Sequence, residues 1–101
     1  MLLSTINITS GDIRRIPIDY SDFFPQGYQL VALTATISPS TATSKVTQTQ
    51  IDPDHDLAWI WVQGGTVLNE QFTLNIVAND NFGQVLNDQI AFTVVAAGAT
   101  S

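Results

Sequence analysis

The feature that most constrains this chain is a hydrophobic period of two. Phe72, Leu74, Ile76 and Ala78 alternate with Thr73, Asn75, Val77 and Asn79. Ile90, Phe92, Val94 and Ala96 alternate with Ala91, Thr93 and Val95. Side chains two apart share one face of a strand, so such segments bury one face as strands and would scatter their apolar residues around a helix. Between Leu57 and Val62 two phases compete, Leu57/Trp59/Trp61 against Ala58/Ile60/Val62, which predicts a strand covered at least partly on both faces. Tyr28 to Ile37, Ser44 to Ile51, Leu3 to Ile8 and Arg14 to Ile18 complete a set of about seven strands.

Turn formers separate these segments. Gly11-Asp12, Pro25-Gln26-Gly27, Ser38-Pro39-Ser40, Asp52-Pro53-Asp54, Gly64-Gly65 and Asn79 to Gly83 recur at roughly the 8–12 residue spacing of sandwiches and barrels. Every helical window is interrupted by β-branched residues or turn formers, leaving room for one helical turn at Tyr20 to Phe24. The expected fold is all-β, an immunoglobulin-like antiparallel β-sandwich in a single domain over residues 1–101. Residues 1–10 form an arm or first strand in this reading. Ser38 to Ser44 is a loop, and the small residues 97–101 a fraying tail.

Composition narrows the function. Three basic residues (Arg14, Arg15, Lys45) stand against nine acidic ones, for a net charge of −6. Phosphate neutralisation takes clustered cations, so neither nucleic acid nor an anionic membrane is an expected partner. Without cysteine there is no disulfide, thiolate metal site or thiol nucleophile, and folding in a reducing cytoplasm is expected. The first residues lack a basic, apolar signal sequence and no run approaches the ~20 apolar residues of a membrane span, so a soluble protein is expected. Charged residues make up only 12 % of the chain, with Thr, Ser, Asn and Gln in their place. Such a surface packs against protein without desolvating many ions.

Candidate sites are few. Asp52, Asp54 and Asp56, beside His55, alternate like oxygen ligands for calcium, but no EF-hand Gly or Glu follows at the required spacing. An acidic β-turn is the preferred reading, and no metal or other cofactor is expected. His55 is the only histidine, no serine sits in a G-x-S-x-G context, and no catalytic residue is assigned. Trp59 and Trp61 share a face. One of them is expected as the central core aromatic; the alternative is a ligand platform. Asn7-Ile8-Thr9 matches a glycosylation sequon without a secretory context to use it. Tyr20, Phe23, Phe24 and Tyr28 cluster outside any alternating strand, and their density makes them the expected interface with a neighbouring subunit.

A further set of segments runs in order along the chain: Asp19-Tyr20-Ser21-Asp22-Phe23-Phe24, then Tyr28-Gln29-Leu30 leading into Thr34-Ala35-Thr36-Ile37. Trp61-Val62-Gln63-Gly64-Gly65-Thr66 and Gln71 to Ile76 follow, then Asn81-Phe82-Gly83-Gln84 with Asp88 to Val94. Together these segments resemble a family of small immunoglobulin-like structural proteins of tailed bacteriophages. In that family an aromatic–acidic segment precedes the first core strand and a Gly-Gly-Thr hairpin joins two central strands. The resemblance implies a non-enzymatic virion protein made in the host cytoplasm, a capsid decoration (cement) protein or head/neck accessory. It implies phage capsid or neck proteins as partners and a homo-oligomer, a trimer by the local three-folds of phage shells. The alternative is a carbohydrate-binding or adhesin-type sandwich module built on Trp59 and Trp61.

Overall fold

The computed structural model describes residues 2–21, 27 and 29–96. It has seven strands and, among the described residues, no helix. They are β1 (Leu2–Thr9), β2 (Ile13–Asp19), β3 (Leu30–Ser38), β4 (Lys45–Asp52), β5 (Leu57–Gln63), β6 (Gln71–Asp80) and β7 (Val85–Val95). Residues 1–10 are thus mainly a strand and not a loose arm. Four strands form one sheet in the order β1-β7-β6-β3 and three the other in the order β2-β5-β4.

Labelled A to G in chain order, the second sheet is B-E-D, and C-F-G is the remaining constant-type immunoglobulin pairing. The first strand departs from that scheme. β1 leaves β2 and pairs with β7 in parallel, Ile6 opposite Phe92 and Ile8 opposite Val94. The sandwich is therefore not antiparallel throughout. The long connection that a parallel pair requires is supplied by the five strands between β1 and β7.

The core follows the alternation. From β6 come Phe72, Leu74, Ile76 and Ala78, and from β7 Ile90, Phe92 and Val94, all buried. Phe72 and Phe92 are direct cross-strand partners, their rings parallel with centroids 4.9 Å apart. The opposing sheet contributes Ile16, Ile18, Ala58, Ile60 and Val62. At roughly 1.5–3 kcal/mol for each large side chain removed from water, this layer supplies most of the folding drive. β7 begins earlier than its apolar run suggests: Asn87, Asp88 and Gln89 pair with Val77, Ile76 and Asn75. No apolar alternation marks these polar residues, and the ladder with β6 holds them in the strand.

Two connections reverse direction within a sheet, β4 to β5 and β6 to β7. In the second, the Asp80 carboxylate accepts the Phe82 and Gln84 N–H groups at 2.9 and 2.7 Å. The Gly64-Gly65-Thr66 segment is not the hairpin expected from the resemblance. It carries the chain from β5 in one sheet to β6 in the other. Both glycines are buried because backbone passes close to them. A Cβ on Gly64 would lie 2.5 Å from the Thr9 carbonyl oxygen, and one on Gly65 2.6 Å from the Ser44 nitrogen.

Candidate binding surface

β5 is the central strand of the three-stranded sheet, and its two faces divide cleanly. Ala58, Ile60 and Val62 are fully buried against the other sheet. Leu57, Trp59, Trp61 and Gln63 point to the outside and remain half-buried. Neither tryptophan is the core aromatic expected from the sequence; that place is taken by Phe72 and Phe92. The residues that β5 does turn inward, Ala58, Ile60 and Val62, are small or branched and join the same core cluster.

Strand register arranges the outer face in four rows across β2, β5 and β4. They read Ile13–Gln63–Lys45, Arg15–Trp61–Gln48, Pro17–Trp59–Gln50 and Asp19–Leu57–Asp52. Rows lie ~6.8 Å apart and strands ~4.8 Å apart. The two indoles therefore sit side by side, flanked by a proline ring, an arginine and two glutamines. Ile13, 58 % exposed, extends the apolar area at one corner. A bulge between Val46 and Gln48 keeps the glutamines in phase, and the Thr47 hydroxyl there donates to the Trp61 carbonyl at 3.4 Å.

The charges on this face are segregated. Arg15 and Lys45 lie toward one end and Asp19 and Asp52 at the other, where the β4–β5 turn adds Asp54, His55 and Asp56. In that turn Asp52 accepts from the Asp54 N–H at 3.1 Å, and its other oxygen lies 2.8 Å from His55 Nδ1. This contact holds the Asp52 carboxyl below its ordinary range and raises the imidazole above 6.5. Asp56, at a φ of 54°, turns away from its neighbours. Its carboxylate accepts the Leu30 N–H at 3.1 Å and its carbonyl the Tyr20 N–H at 2.8 Å. Asp52, Asp54 and Asp56 do not converge, and among the described residues no three metal-ligating side chains form a cation site.

The expected aromatic interface fares differently. Tyr20 is fully buried, so it is not an interface residue: it closes one end of the core, its hydroxyl engaged with Asp88. Burial first, and then the Asp88 charge, pushes its phenol pKa up. Phe23, Phe24 and Tyr28 lie outside the described residues, as does most of the helical turn expected at Tyr20 to Phe24 and the tail at 97–101.

Two further features escape sequence reasoning. Beside Tyr20, a cleft of about 490 Å³ opens between β1 and β2, floored by Ile6, Ile16, Ile18 and Ile90. Its flanking edges are blunted. Gly64 N–H donates to the Asp12 carbonyl at 2.9 Å, and Tyr20 N–H to the Asp56 carbonyl, so the backbone N–H and C=O groups of even-numbered β2 residues point to β5 and those of odd-numbered ones to the open edge. At that edge Pro17 has no N–H to offer. On the β1 side, Arg14 donates to the Asn7 carbonyl at 3.0 Å. Capped edges resist unwanted strand addition.

The second feature is Glu70. Its carboxylate accepts the Thr43 N–H at 3.1 Å, the Ser44 N–H at 3.3 Å and the hydroxyls of both. Those hydroxyls in turn accept the Thr66 N–H at 3.1 Å and the Gly65 N–H at 2.9 Å. The knot joins the β3–β4 and β5–β6 connections. Nothing in the sequence around Glu70 signals it, because its partners are more than twenty residues away.

No family model and no curated protein sequence matches the chain. Among solved structures the chain is similar to a 2,6-sialyltransferase of Photobacterium sp. JT-ISH-224, seen in a ternary complex with CMP and lactose. The TM-score is 0.52 at 11 % identity, over 95 % of this chain and 18 % of that one. This chain spans less than a fifth of the enzyme's length, and the likeness is one of fold alone.

Proposed function

We propose that this chain is a non-enzymatic structural protein of a tailed-phage virion, a capsid decoration or head/neck accessory protein that works by protein–protein contact. The observation that carries the contact reading is the outward placement of Trp59 and Trp61 on the β2-β5-β4 sheet. Aromatic side chains left half-exposed, side by side on the central strand, with the charges of the face on its outer strands, have the make-up of the centre of an interface. The resemblance of the aromatic–acidic and strand segments to those of the phage proteins is what suggests the virion setting. The contact face moves from the aromatic segment around Tyr20 to the outer sheet face.

The test is co-sedimentation of the purified protein with phage heads lacking it. Wild-type protein should pellet with the particles. Trp59→Ala and Trp61→Ala should reduce binding at least tenfold while melting within a few degrees of wild type. Wild-type protein that stays in the supernatant would remove the virion reading.

The carbohydrate reading keeps one specific support: Gln48 and Gln50 border the indoles with amides able to hydrogen-bond sugar hydroxyls. Quenching or blue-shift of tryptophan fluorescence by a glycan, abolished in Trp59→Ala, would favour it over protein contact.

A further inference from the structure

We infer that the outer face of the β2-β5-β4 sheet is self-complementary and pairs two copies of this chain face to face about a two-fold axis. The inference rests on that face being the contact surface, and it names the occupant.

The argument is the distribution of charge along the four rows. Two of the chain's three cations, Arg15 and Lys45, occupy the first two rows. The carboxylates of Asp19 and Asp52 occupy the last row, and the neutral middle holds Trp59, Trp61, Pro17, Gln48 and Gln50. Two copies can meet face to face with their strands running the same way or opposite ways. Running the same way, cations meet cations and carboxylates meet carboxylates. Running opposite ways, about an axis lying in the interface across the strands, the first row of each copy covers the last row of the other. Lys45 then reaches Asp52 of the second copy, and Arg15 reaches its Asp19. At the centre Trp59 of each copy meets Trp61 of the other. Each contact occurs twice, as an isologous interface requires.

Size sets the expected strength. Three strands at ~4.8 Å and seven residues at ~3.4 Å give a footprint of about 14 by 24 Å per copy. That falls below a standard-size interface, so a micromolar or weaker dimer is expected. The net charge of −6 on each copy opposes association at long range, and near 0.15 M salt it is screened beyond ~8 Å. The symmetry is two-fold, in place of the three-fold expected from phage shells.

The experiment is sedimentation equilibrium at 0.15 M salt, from ~10 μM to ~1 mM protein, a range bracketing micromolar association. The wild-type mass should rise from 10.9 kDa toward twice that value. Two charge variants are then compared, Arg15→Glu with Lys45→Glu, and Asp19→Lys with Asp52→Lys. Each should remain monomeric alone, and an equimolar mixture should associate at least as well as wild type. Thermal melts check that both variants fold. A wild-type protein that stays monomeric throughout overturns the proposal. So does a dimer unaffected by either variant, or a mixture that fails to associate. In those cases, loss of particle co-sedimentation in Trp59→Ala still decides whether the face contacts a different protein.

Discussion

Glu70 ties together the β3–β4 and β5–β6 connections, both of which cross between the sheets, and removing it gives the sharpest test of the packing described above. Four donors from Thr43 and Ser44 converge on its carboxylate. Ser44 is only 4 % exposed, so its N–H and hydroxyl have no ready replacement partner in water. The carboxylate itself is half-exposed, so each of the four bonds is discounted for solvent screening to ~0.5 kcal/mol, the low end of the net range for a hydrogen bond. Glu70→Ala should then cost about 2 kcal/mol. Unfolding entropy of ~2.1 cal/mol/K per residue gives about 0.2 kcal/mol/K for this chain, so the midpoint should fall by about 10 °C. Glu70→Gln keeps one carbonyl acceptor and should lose about half as much. The assay is thermal unfolding followed by circular dichroism across pH. The Thr43 N–H, first among several donors, holds the Glu70 carboxyl below its ordinary 4.5. A depressed carboxyl contributes stability that is fully present above the unfolded value and is lost as pH falls through the folded one. The gap between wild type and Glu70→Gln should therefore be constant near neutrality and close below pH 4.5. A loss of less than about 2 °C in Glu70→Ala, or a gap that persists at low pH, would refute the reasoning.

Other outcomes follow from the same geometry. Gly65→Ala should cost about 2–3 kcal/mol, because its Cβ would press on the Thr43 hydroxyl and on the Thr43–Ser44 backbone. Gly83→Ala, with open space around it, should cost only about 1 kcal/mol for its φ of 87°. Chemical denaturation distinguishes the two. Phe92→Ala should lose about 3–5 kcal/mol through the cavity beside Phe72, and Trp61→Ala about 1 kcal/mol or less. Comparable losses would mean that the assignment of inner and outer faces of β5 is wrong. The His55 imidazole, followed by NMR, should titrate above 6.5 in wild type and move back toward it in Asp52→Asn. Because the folded value is raised, that contact stabilises below the unfolded value and is lost as pH rises through the folded one.

The sequence alone determined the strands. A two-residue period with turn formers between its runs leaves a chain of this length little choice but a two-layer β domain, and the alternation at Phe72 to Ala78 and Ile90 to Val94 correctly named the core of β6 and β7. That information is local. The phase of β5 was not decided locally, because Leu57/Trp59/Trp61 and Ala58/Ile60/Val62 are both apolar; packing against the other sheet selected the second set as the buried one. Tyr20 reads as an interface aromatic because it clusters with Phe23, Phe24 and Tyr28 outside any alternating strand, and only the tertiary fold buries it, with its hydroxyl engaged with Asp88. The Gly64-Gly65 pair reads as a hairpin from its residue types, whereas its role comes from the Thr9 and Ser44 backbones passing alongside. Glu70 and the row order of Arg15, Trp61, Trp59 and Asp19 were likewise invisible. Register between strands is set by which faces bury together, and no single strand carries that in its own residues.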